Sequence, residues 1–198
     1  MATVSAKQTS GMSALSLVYC GMFAALMMIG ANITTFVPFL MVGGVPITLQ
    51  PFFSVLAGLI LGSRLGAISM IVYMAVGLAG APVFAKFQGG FAEILSPTFG
   101  FVLSFILVAY IAGKIVEKNG SLRSYIISGL VAVAFSYLFG TNWLYFAYKF
   151  WAKAPDVFTY KVAWIWMIPP LPKDIILSIL AGVFGHRMYK VLKVRRGR

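Results

Sequence analysis

Long apolar runs alternate with short stretches rich in glycine, proline and charge along this 198-residue chain. The first thirteen residues are polar, small and mildly basic, and an apolar run then extends from about 14 to 36. That run exceeds the roughly 7–15 residues of a signal-peptide core, so it predicts a first spanning helix that is retained. Residues 37–48 are irregular, with Pro38, Gly43, Gly44 and Pro46. Two short apolar pieces follow, roughly 51–62 and 65–80, meeting at a tight turn near Gly62-Ser63-Arg64. Pro51 suits the first turn of a helix, where a missing N–H costs little. A second irregular stretch holds Gly80, Pro82, Lys86, Gln88, Gly89, Gly90, Glu93 and Pro97. Three longer runs complete the pattern at about 98–117, 123–148 and 164–189, the last with Pro169, Pro170 and Pro172 near its start. The expected architecture is an all-α integral membrane protein with six transmembrane helices, short second and third helices, and one membrane domain over 1–198. The runs are continuous rather than alternating, which argues against a transmembrane β-barrel.

Composition sharpens this picture. Apolar residues make up 61% and charged residues 10%, and the mean hydropathy is +0.94. Soluble domains carry about 45–50% and about 25%, so too little polar surface is present for a water-facing shell. An ordinary soluble enzyme, a disordered chain and a nucleic-acid-binding domain are excluded despite the net charge of +12. The lone Cys20 offers neither a disulfide partner nor a thiolate metal site. Charge placement gives an orientation. With the N-terminus cytoplasmic, eleven of the 16 basic residues fall inside: Lys7, Arg64, Lys114, Lys118, Arg123, Arg187, Lys190, Lys193, Arg195, Arg196 and Arg198. Lys86, Lys149, Lys153, Lys161 and Lys173 fall outside, so N-in and C-in is expected. Glu93, Asp156 and Asp174 then lie outside, together with both irregular stretches and the proline cluster; the basic tail reads as topology and lipid-headgroup contact.

No G-x-x-x-x-G-K-[ST] occurs, so ATP hydrolysis by this chain is not expected. His186 is the one histidine and has no acid nearby in the sequence. No catalytic residue, metal or cofactor is called for. The candidates are instead binding groups. Asp174 follows Lys173 at the outer start of the last helix, and a carboxylate beside a long apolar run is a site candidate, although helix starts favour acids in any case. Lys173 is its ion-pair partner, a ligand cation or an interfacial snorkeller. Glu93 follows Gly89 and Gly90, whose lack of a side chain lets backbone approach a ligand. Gln50 brings an amide to membrane depth, where it needs a partner. Asn142, beside Trp143, has the same need, and Asn32 is a weaker case. Small residues recur four apart at Gly21 and Ala25 and at Gly58, Gly62 and Gly66, a spacing that lets helices approach closely.

Three motifs carry a family resemblance. Pro46-Ile47-Thr48-Leu49-Gln50 follows a glycine pair, Gly89-Gly90 precedes Ser96-Pro97-Thr98-Phe99-Gly100, and Leu171-Pro172-Lys173-Asp174 opens the last helix. In this order, in a chain of this length, they resemble the BioY family of biotin-specific substrate-binding (S) components of energy-coupling factor transporters, over nearly the whole chain. The resemblance implies an S-component-like fold in a prokaryotic plasma membrane, biotin captured at the outer face, a transmembrane coupling subunit and two ATPase subunits. It maps coupling-subunit docking to Gly21 and Ala25. Biotin offers two ureido N–H donors and a ureido carbonyl, an apolar thioether ring and a carboxylate. The donors call for Asp174, with Glu93 or Asn142, and the carbonyl for Asn142 or Gln50. The rings call for Trp143, Phe87 and Phe91, and the carboxylate for Lys173, Lys86 or Gln50. The loop after the first helix is expected to close as a lid.

Overall fold

The computed structural model describes residues 13–36, 41–42 and 45–196. Pro38 and the Gly43-Gly44 pair lie outside the described residues, as do Lys7 and Arg198. Helix α1 (Ala14–Asn32) starts at Ser13, whose hydroxyl accepts the Ser16 N–H at 3.1 Å, and passes into a 3-10 turn ending at Phe36. Such a cap satisfies one of the orphan amides of a first turn. A short antiparallel pair, β1 (Met41–Val42) and β2 (Val45–Pro46), lies between α1 and α2 (Gln50–Leu61). Next come α3 (Ser63–Leu78), α4 (Phe99–Lys118) and α5 (Leu122–Phe150), with 3-10 turns at Ala85–Phe87 and Phe91–Leu95 before α4. Helices α1, α4 and α5 are each long and apolar enough to cross a membrane, and α2 and α3 are shorter apolar helices.

The last run departs from expectation. A helix from about 164 was anticipated, but α6 (Tyr160–Ile165) is a single short helix, a turn follows, and α7 runs from Leu171 to Arg196. Proline disfavours the α conformation in the residue before it and brings no N–H, so Pro169 and Pro170 break the helix. Pro172 falls in the first turn of α7, where it is tolerated.

Helix α4 packs against α5, α3 and α2, and α7 lies against α5 and α2, while α1 sits at the edge on α3 and α2. The core draws on Phe23, Met27, Val55, Leu59, Met70, Tyr73, Phe105, Val108 and Tyr125. The chain direction sorts the connections into two ends. The α2–α3 and α4–α5 turns share one end, where the helices touch backbone to backbone. A Cβ on Gly58 would overlap the Ala109 carbonyl, and one on Gly113 would overlap the Ser63 backbone. Between α2 and α3, Gly62 adopts φ +85°, and the Glu117 carboxylate accepts the Ser63 N–H at 2.7 Å, capping α3. All the irregular segments collect at the opposite end.

Candidate functional site

At that irregular end the helices part around a cavity of about 280 Å³. Small-molecule sites run upward from about 300 Å³ and are mostly apolar with a few placed polar groups. Phe84, Phe99, Phe101, Phe105 and Met167 supply apolar wall. Tyr73, Phe84 and Phe99 meet edge to face, with centroids 5.6 and 6.3 Å apart, which fixes the ring positions.

Asp174 enters the cavity from the first turn of α7 and is 4% exposed. The Tyr137 hydroxyl donates to its Oδ2 at 2.7 Å, and its Oδ1 lies 2.8 Å from Lys173 Nζ. A buried carboxylate requires such partners; Oδ1 accepts no hydrogen bond beyond that ion pair among the described residues. The Lys173 ammonium also donates to the Thr48 carbonyl, joining α7 to the segment that precedes α2. Lys173 is thus committed inside the protein.

Gln50, at the start of α2, also lines the cavity. Its Nε2 donates to the Tyr73 hydroxyl at 2.8 Å, and its Oε1 accepts from Thr48 Oγ1 at 3.2 Å. Tyr73 in turn donates to the Val83 carbonyl at 3.2 Å. Glu93, Lys86 and Gln88 line the open side, and Ser136 lines the wall while sharing a 2.7 Å hydrogen bond with Ser104. Asp174, Lys173, Gln50, Glu93 and Lys86 are therefore brought together.

The other anticipated residues are not on the cavity wall. Asn142 turns outward on α5, donating to its own helix at Leu138 O (2.7 Å) and accepting from the Tyr160 hydroxyl at 3.3 Å. Trp143 lies behind Phe99, with centroids 6.3 Å apart, and its indole donates to the Ser96 carbonyl at 3.3 Å. Phe87 and Phe91 are 50% and 76% exposed. Gly89 presses on the Ala81 carbonyl, and Gly90, at φ +108°, donates to the Gly77 carbonyl at 2.8 Å; both shape the turn itself. Gly21 and Ala25 lie on the exposed face of α1, with nothing near a Cβ built at Gly21.

Tyr137, Thr48, Ser136 and Phe84 were missed as site residues. A signal for the α5 pair existed: Ser136, Tyr137, Gly140, Thr141 and Leu144 recur at helical spacing and are all buried. Asn142, five positions beyond Tyr137, falls about 140° around the helix from it.

A helical membrane protein with a cavity walled by aromatic rings and tipped by a paired buried carboxylate belongs to the class that binds small molecules within the bundle. Comparison with known proteins narrows the class. The sequence pattern of the BioY family matches residues 4–194, and the chain belongs to that family. BioYB of Bacillus subtilis (strain 168) is 43% identical over 179 residues, covering 89% of this chain and 88% of that protein. The biotin transporter BioY of Thermotoga maritima is 34% identical over 180 residues, covering 91% and 98%. A crystal structure of the S-component for biotin from an ECF-type ABC transporter superposes with a TM-score of 0.73 at 25% identity, over 91% of this chain and 95% of that one.

Proposed function

We propose that the chain is a transport protein, the biotin-binding S component of an energy-coupling-factor uptake transporter. Family membership and the likeness to a biotin S component support this reading. The observation that carries it is Asp174, a buried carboxylate held by Tyr137 and Lys173 with one oxygen left to accept further hydrogen bonds. Its complement in biotin is the pair of ureido N–H donors. The aromatic wall takes the fused rings, and Gln50 and Glu93 flank the polar end. With Lys173 committed to Asp174 and Thr48, the valerate carboxylate falls to Lys86 at the open side. Trp143 acts from behind Phe99.

In this reading the single domain of 1–198 crosses a prokaryotic plasma membrane six times, with α1, α2, α3, α4, α5 and α7 as the spans and both termini inside. The cavity then opens outward, where the segment before α2 closes over captured biotin. Coupling to transport comes from a transmembrane coupling subunit and two ATPase subunits, docked through the exposed Gly21 and Ala25 of α1. Thermodynamic capture needs neither ATP nor those partners. The purified chain alone, in detergent, is expected to bind biotin 1:1 by calorimetry and tryptophan fluorescence, with thiamine and riboflavin as controls. A folded protein that ignores biotin but binds a control vitamin would reassign the ligand.

A further inference from the structure

Asn32, the last residue of α1, lies outside the cavity, yet it is 6% exposed and its amide group has partners on both sides. Its Nδ2 donates to the Met28 carbonyl at 3.1 Å and to the Val83 carbonyl at 3.3 Å. Its Oδ1 accepts the Phe87 N–H at 2.7 Å. The segment so gripped is unusual. Lys86 and Phe87 both adopt left-handed backbone, with φ +64° and +56°. Two successive non-glycine residues there, one of them bulky, persist only where surroundings over-determine them. The Phe84 N–H closes the turn on the Gln88 carbonyl at 2.9 Å. Inside, the Val83 carbonyl also accepts from Tyr73, itself held by cavity-lining Gln50. The turn is thus clamped from the cavity by Gln50–Tyr73 and from the outside by Asn32, and it carries Lys86 onto the cavity wall.

We propose that Asn32 is a positioning residue for ligand binding: its side-chain amide holds the left-handed Lys86–Phe87 turn and so aims the Lys86 ammonium into the cavity. The side-chain amide does this with one group, its two N–H donors going to the Met28 and Val83 carbonyls while its oxygen accepts the Phe87 N–H. The role of Lys86 toward a carboxylate rests on the biotin reading; the grip of Asn32 on the turn does not.

The test separates the two. Trypsin cuts after lysine, so the ligand-free protein reports the turn directly through cleavage between Lys86 and Phe87. In Asn32→Leu, cleavage there is expected to rise about tenfold over wild type, as local opening becomes easier. Affinities for biotin and for its neutral carboxamide are then compared in wild type, Asn32→Leu, Lys86→Met and the double variant. The expected loss in Asn32→Leu is about tenfold for biotin and under about twofold for the carboxamide, with little added to Lys86→Met, the non-additivity of residues acting through one group. Should Asn32→Leu not fold, Asn32→Ser, which is neutral and keeps one short hydroxyl where the amide spans the Val83 carbonyl and the Phe87 N–H, is expected to show the same discrimination in smaller degree. Unchanged cleavage, equal losses for both ligands, or a full additional loss on top of Lys86→Met would overturn the proposal. Wild-type protein that binds neither ligand would instead remove the biotin reading, leaving the cleavage rate to decide the role of Asn32.

Discussion

Glycines sit at helix contacts at both ends of this bundle, but they meet different things. At the end of the tight turns, Gly58, Gly66 and Gly113 face backbone, so α2, α3 and α4 touch directly. At the cavity end, Gly77 faces the ring of Phe84, Gly100 faces Trp143 and Gly140 faces the ring of Phe101. There the missing side chains make room for aromatic rings, of which Phe84 and Phe101 wall the cavity while Trp143 stands behind Phe99. Absent side chains thus seal one end of the bundle and shape a binding space at the other. Close packing of small residues is the usual source of helix association in a membrane, where apolar burial gains little.

Substitution is expected to do most damage at the sealed end. Gly58→Leu drives a side chain into the Ala109 carbonyl, which cannot move without α4. Loss of folded, monodisperse protein in detergent is expected, equivalent to more than about 4 kcal/mol. Size-exclusion chromatography checks this, and a monodisperse variant with wild-type melting would contradict it.

At the cavity end, substitutions are expected to spare the fold and change binding. Asp174→Asn keeps the shape but removes the charge that Tyr137 and Lys173 hold. Biotin affinity should fall about tenfold to a hundredfold, the worth of hydrogen bonds to a charged group. Calorimetry on the folded variant measures it, and unchanged affinity would withdraw the central assignment. Tyr137→Phe loosens the same carboxylate without emptying the wall, and about a tenfold loss is expected. Gly140→Ala is milder. Its methyl pushes Phe101, a cavity-wall ring, rather than backbone. The protein should remain folded, with about a threefold to tenfold loss as the core is overpacked by one methyl.

The smallest effect on the isolated chain is expected on the outer face of α1. Gly21 has the same four-residue spacing to a small residue as Gly58 does to Gly62, yet nothing lies within 4 Å of a Cβ there. Gly21→Leu should leave melting and biotin binding unchanged while abolishing co-purification with the coupling and ATPase subunits proposed above as partners. Normal assembly of that variant would place docking elsewhere.

Much of the architecture was legible along the chain. Apolar runs and their punctuation located α1 to α5 within a few residues, because helices in such a protein are apolar and internally hydrogen-bonded and the glycine- and proline-rich stretches between them are not. The last run was expected to be one helix from about 164, but Pro169 and Pro170 separate α6 from an α7 that starts at Leu171. Within the site, Asp174 and Gln50 stood out as polar groups amid apolar sequence, and both line the cavity. Asn142 and Trp143 stood out equally and do not, because five and six positions beyond Tyr137 both fall well away from its face of α5.

The sequence alone therefore determined the solvent this chain belongs in, the position of most helices and the end at which unusual polar chemistry collects. These follow from composition and from local rules of backbone hydrogen bonding. Which polar groups meet follows from the packed fold: Tyr137 with Asp174 across 37 positions, Lys173 with Thr48 across 125, and Asn32 with Phe87 across 55. Those pairings depend on the azimuth of each helix and the path of each loop, which are set by packing between distant segments and not by any one of them.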